Sequence, residues 1–137
     1  MNYGYAGQIL RIDLSTSKTE TIPTSDYSGK FLGGRGIAAK IYWDEVPSNV
    51  NSLDPENRLI FMTGPLAGFP SVGGSRWQIS AKSSYGLREH CIYSNLGGGW
   101  GARLKFAGCD GLVVQGKANK PVFILIDDGK IQIEDAS

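Results

Sequence analysis

CIYSNLGGGWGARLKFAGCDGLVVQGK, residues 91–117, is the stretch from which the rest of the chain is read. CIYSN is a short strand-like run, three consecutive glycines interrupt it, and a helical segment follows over about Trp100 to Ala107. GLVVQGK then reads as a buried strand, because its apolar residues run without alternation. Bare backbone is therefore exposed just where a helix begins. The first N–H groups of a helix are unpaired and carry partial positive charge, and glycine lets a ligand, usually an anion, approach them.

Working outward, Gly7 to Leu14 alternates, with Leu10, Ile12 and Leu14 on one face and Arg11 and Asp13 on the other, and Ile9 out of step. STSK turns the chain and TETIP returns it, the pattern of an antiparallel hairpin. Ser25 or Asp26 is positioned to cap a helix through Tyr27 to Leu32, Gly33 and Gly34 break it, and Ile37 to Glu45 resumes the helical pattern before Pro47. RLIFMTG and SRWQISAKS read as strands. PVFILIDDGKIQIED reads as a hairpin turning on Asp128-Gly129, a pair suited to a type I′ turn. The pattern predicts one α+β domain of mostly antiparallel strands with two or three helices. The chain stops at EDAS directly after that hairpin, which reads as the front piece of a longer protein.

Composition bounds the function. A chain of 137 residues, 41% hydrophobic, is long enough for a real core. A net charge of +1 gives no reason to expect nucleic acid or an acidic membrane as partner. No apolar run approaches the roughly 20 residues of a membrane span, and the N-terminus lacks the layout of a signal peptide. Two cysteines outside any CxxC pair point to a reducing, cytoplasmic setting. The 19 glycines, about twice ordinary usage, cluster in LGGRG, TGPLAG, VGGS and LGGGWG, as in a packed protein whose turns admit a bulky ligand.

The catalytic inventory is thin. His90 reads as a strand-start residue, Cys91 and Cys109 read as small buried hydrophobes, and no catalytic residue is assigned. Binding features are richer. Arg76 opens a strand just after two glycines, where a planar guanidinium suits bidentate contact with phosphate or a pterin-like heterocycle. An ordinary surface arginine is the competing reading. Asn95 donates and accepts, and Gly97 and Gly98 leave backbone open to a ligand or cation, against a tight strand-to-helix turn without one. LGGRG, with Arg35, is a weaker case that a break between helices explains as well.

The order LGGRG, PENRLIFMTGPLAG, GGSRW, SNLGGGWGARLKFAGCDGLVVQGKANKPV and the closing hairpin resembles the N-terminal domain of the aldehyde ferredoxin oxidoreductase family, from about Gly4 to Ser137. The resemblance implies that residues 1–137 are the tungstopterin-binding N-terminal domain, as a fragment or a small subunit. The implied enzyme carries a tungsten (or molybdenum) bis-pterin, oxidises small aldehydes to carboxylic acids, and passes electrons to ferredoxin through a 4Fe–4S cluster. Matching motif to motif, Arg76, Asn95 and Gly97 fall at cofactor-binding positions, and Gly98, beside them in the open turn, is counted with them. Asn95 is implied to offer its backbone carbonyl to the magnesium that joins the pterin phosphates, an ion suited to oxygen ligands. The cluster cysteines, the remaining pterin contacts and the catalytic acid and base lie beyond this chain in the family. The chain is thus expected to supply half a cradle, to be inactive alone, to need further domains or a second subunit, and to self-associate without them. The competing class is a non-catalytic binding or scaffold module that holds a phosphorylated ligand. A nucleotide-binding domain is discounted, since no strand–GxGxxG–helix unit occurs.

Overall fold

A computed structural model describes residues 3–70, 73–85 and 88–137. Its elements run β1 (Gln8–Asp13), β2 (Lys18–Pro23), α1 (Ser25–Phe31), α2 (Gly34–Glu45), β3 (Leu59–Thr63), β4 (Trp77–Ser83), β5 (His90–Leu96), α3 (Trp100–Phe106), β6 (Gly111–Gln115), β7 (Val122–Asp127) and β8 (Lys130–Asp135). Six strands form one sheet in the order β2-β1-β6-β3-β4-β5, and β7 pairs only with β8. Neighbours are antiparallel except β1 and β6, which run parallel with Ile9 opposite Gly111. The α+β class with mostly antiparallel strands and three helices is as expected.

Two cores lie on opposite faces of this sheet. Ile9, Ile60, Met62 and Val113 meet Ile37, Ala38 and Ile41 of α2 on one face. Leu10, Ile12 and Leu112 meet Leu104 of α3 and the isoleucines of the β7–β8 hairpin on the other. Ile9 is therefore not out of step. β1 is a central strand covered on both faces, so its alternation divides residues between two cores rather than between core and water. Arg11, on the α2 side, forms ion pairs with Glu45, at the end of that helix, and with Glu20 at 3.4 Å. Arg58 reaches the other oxygen of Glu45 at 3.1 Å, so two guanidinium groups hold one end of α2 to the sheet.

The helix cap expected at Ser25 or Asp26 lies one residue earlier. Thr24 is the N-cap of α1, and its hydroxyl donates 2.7 Å to the Asp110 carboxylate instead of capping the helix. Asp110 also accepts from the backbone N–H groups of Ala6 and Gly7, at 2.9 and 2.8 Å, and pairs with Lys105 at 2.6 Å. Asp110 is buried, and burial by itself pushes its carboxyl up. The bonds from Lys105, Thr24, Ala6 and Gly7 outweigh that and hold it below its ordinary value. Asp128 and Gly129 both adopt positive φ, 43° and 80°, as the expected type I′ hairpin turn requires.

Candidate functional site

β3 ends, β4 begins, β5 ends and α2 begins at the same end of the sheet, and a cleft of about 240 Å³ opens there. Gly33, Gly34 and Arg35 enter it from the start of α2, Gly64 and Pro65 from the turn after β3, Arg76 and Gln78 from β4 and the residue before it, and Asn95 from β5. Arg76 and Asn95, singled out from the sequence, are thus brought to one cavity by the antiparallel pairing of β4 and β5, in which Gln78 lies opposite Asn95.

The lining carries two arginines and no carboxylate. Arg11 pairs with Glu45 and Glu20 and Arg58 pairs with Glu45, whereas neither Arg35 nor Arg76 forms an ion pair among the described residues. Two unneutralised guanidinium groups over a partly enclosed surface create a positive potential, which favours an anionic ligand. The Arg35 guanidinium sits 3.7 Å over the centroid of the Tyr93 ring. Gln78 is buried, and its Nε2 donates 3.1 Å to the Ser80 hydroxyl.

The glycine run turns beside this cleft without lining it. Trp77, a lining residue, donates its indole N–H to the Gly97 carbonyl at 3.2 Å. The three glycines have different reasons to be glycine. Gly98 adopts φ 80°, which a side chain disfavours. Gly97 has no such φ, and a Cβ built there would meet nothing within 4 Å. Neither backbone nor packing among the described residues calls for glycine at 97, so the space above it is open to something else. α3 is only seven residues long, and the charged walls of the cleft come from α2 and β4, not from α3.

His90 is exposed at the start of β5, with Nδ1 2.8 Å from the Arg88 carbonyl, in keeping with a strand-start role. Cys109 is buried in the core, where burial, with Asp110 beside it, pushes its thiol up. Cys91 does not follow the expectation of burial. It is exposed, because β5 is the edge of the sheet and no strand among the described residues covers it. Among the described residues no group of three or more His, Cys, Asp or Glu side chains is placed to hold a metal, and no helix is long and apolar enough to cross a membrane. Sequence reasoning passed over Gln78 and Tyr93. The signal for Gln78 was the period-2 pattern of WQISAKS, which sets Gln78, Ser80 and Lys82 together on the buried face.

The fold and cleft together define an α+β domain with an acid-free, arginine-walled recess at one sheet end. The family model described as aldehyde ferredoxin oxidoreductase, N-terminal domain, matches residues 9–137, and the chain belongs to this family. It is 42% identical over 137 residues to a tungsten-containing aldehyde ferredoxin oxidoreductase of Pyrococcus horikoshii and 43% identical to that of Pyrococcus furiosus. It is 37% identical over 141 residues to an aliphatic sulfonate oxidoreductase, WOR-like subunit, of Pyrococcus furiosus. Each match takes in 98% of this chain, and the chain spans 22% of the length of each relative. The fold superposes with TM-score 0.93 at 37% identity on a chain of the active site complex BamBC of benzoyl coenzyme A reductase, covering 99% of this chain and 21% of that one.

Proposed function

We propose that this chain is the N-terminal part of an oxidoreductase carrying a tungsten (or molybdenum) bis-pterin, and that it forms half of the cradle for that cofactor. The observation that carries the reading is the convergence of Arg76 and Asn95 on one cleft without a carboxylate. The residues present suit a flat, phosphorylated group. Arg76 would hold phosphate with its guanidinium, Asn95 would offer its backbone carbonyl to a magnesium ion, and the open space at Gly97 and Gly98 would admit a ring system. When bound, the metal-dithiolene group supplies the two-electron oxidation of an aldehyde and water to a carboxylic acid. The chain's own part is to bind and orient the cofactor.

The 4Fe–4S cluster, the contacts to ferredoxin and the substrate pocket belong to polypeptide outside these residues, in further domains or a second subunit. Relatives named for aldehyde and for sulfonate chemistry both match this domain, which supports a substrate choice made elsewhere. Two free thiols, Cys91 at the surface and Cys109 in the core, suit a reducing, cytoplasmic setting.

The test is metal and pterin analysis of the full-length product purified from its native source. Tungsten or molybdenum with pterin is expected, and Arg76→Gln is expected to lower the pterin content of the folded protein. A wild-type product holding neither metal nor pterin overturns the proposal.

A further inference from the structure

We propose that Arg35 is a second anion anchor of the cleft, held in place by Tyr93, so that a dianionic phosphate group is gripped between Arg35 and Arg76. The inference rests on the cradle reading and adds a residue and a ligand charge to it.

Arg35 lies in the first turn of α2, and Tyr93 lies on β5 opposite Ser80, two residues before Asn95 and on the same face of the sheet. Stacking at 3.7 Å occupies the flat face of the guanidinium and leaves its N–H edge free. No hydrogen bond or ion pair within the described residues uses that edge, although the same side chain lines the cleft. Arg11 and Arg58, by contrast, spend their N–H groups on Glu45. Two like charges on one recess with no acid among its lining residues repel, and a ligand with two negative charges relieves both at once. The geometry of α2 adds to this. Its start has no side-chain cap, and Gly33 and Gly34 there line the cleft, with the N–H groups of Gly34 and Arg35 unpartnered among the described residues. Gly34, beside them, has open space where a Cβ would stand. Tyr93 is a positioning residue, because it acts on the ligand only through Arg35.

The test is calorimetric titration of the 137-residue chain with inorganic pyrophosphate at low salt. Arg35→Gln and Arg76→Gln are each expected to weaken binding by about tenfold or more, the scale of a lost charge-assisted bond. Arg35→Lys keeps the charge without the fork, and is expected to recover part of that loss. Tyr93→Phe keeps the ring and is expected to bind as wild type, whereas Tyr93→Ala weakens binding with no change of charge. Melting temperatures taken alongside separate a lost anchor from a lost fold, and Arg35→Lys carries the test if Arg35→Gln does not fold. Wild-type affinity in Arg35→Gln, with affinity lost in Arg76→Gln, overturns the anchor and leaves the cradle reading standing. Pyrophosphate affinity lost in Arg35→Gln, with the pterin content of full-length Arg35→Gln unchanged, confirms the anchor and overturns the cofactor as its ligand. A wild-type chain that does not bind pyrophosphate overturns the anchor itself.

Discussion

Gly101 lies so close to Trp77 that a Cβ at 101 would stand 3.1 Å from the Trp77 Cβ and 3.2 Å from its ring carbon Cδ1. The centroid of the Trp77 ring is 4.2 Å from that of Trp100, so α3 packs on β4 through an aromatic pair, Trp100 of the helix against Trp77 of the strand. The Trp77 Cβ is fixed by the strand and cannot swing aside. Gly101→Ala is therefore expected to destabilise the chain by about 1–3 kcal/mol through overpacking. That outweighs the gain of about 1 kcal/mol from removing a glycine inside a helix. A thermal melt that rises on this substitution would show that α3 can shift without cost.

Gly97, four residues earlier in the same run, is expected to behave in the opposite way. A Cβ there meets no atom within 4 Å, so Gly97→Ala should leave stability unchanged within about 0.5 kcal/mol, as for other surface changes. If the cradle reading holds, the same substitution in the full-length product lowers pterin content. Normal melting together with full cofactor loading would leave the glycine as a turn residue only.

Asp110 gives the chain a calculable response to acid. Its carboxyl is held below its ordinary value of 3.8, since four partners outweigh the opposing effect of burial. A group depressed in this way stabilises the fold fully above its unfolded value and loses that contribution as pH falls through the folded one. Asp110→Asn is expected to cost about 3–5 kcal/mol at neutral pH, because Lys105 is left buried without its carboxylate. The stability gap between wild type and variant should close as pH falls below about 4. Urea denaturation at a series of pH values measures it, and a gap independent of pH would remove Asp110 from the acid response.

Much of the fold is legible in the sequence because most of its elements are local patterns. The two hairpins, β3, β4, α3 and β6 can each be read from alternation, turn residues and apolar runs. What depends on neighbours cannot be read that way. Ile9 reads as out of step only because nothing in GQILRIDL reveals a second core on its side of β1. Cys91 reads as buried because CIYSN looks like any strand, and its edge position is set by strand order. Thr24 is passed over as the cap because its hydroxyl is committed to Asp110, a residue 86 positions away. The cleft divides in the same way. Arg76 and Asn95 sit in the stronger motifs, whereas Arg35, the weaker case in LGGRG, gains weight only from its place over Tyr93 in the same cleft.

The purified 137-residue chain is expected to show no iron–sulfur absorbance and no aldehyde-dependent dye reduction. Its two cysteines are separated by the fold, one on the edge strand β5 and the other in the core beside α3, so neither has a partner thiol for a cluster. Visible spectra and a dye-coupled assay against a protein-free blank check this. Turnover by the chain alone would mean that it holds a complete redox site.

Self-association is expected of the isolated chain, and the β7–β8 hairpin is the surface that should drive it. Ile124, Ile126, Ile131 and Ile133 point inward to the core, leaving Phe123 and Leu125 outward, 50% and 43% exposed. Glu134 and Gln132 stand opposite these two, so the outer face is polar on β8 and apolar on β7. Among the described residues β7 has no strand on its far side, and its unpaired N–H and C=O groups can template another chain. Trp100, Leu59 and Ile92 add exposed apolar area elsewhere. Sedimentation velocity should therefore show an average mass that rises with concentration. Placing lysine at both Phe123 and Leu125 should lower that mass at each concentration without unfolding the chain, since neither side chain belongs to the core. A wild-type chain that stays monomeric at high concentration would show that the polar half of the hairpin is enough to protect its edge.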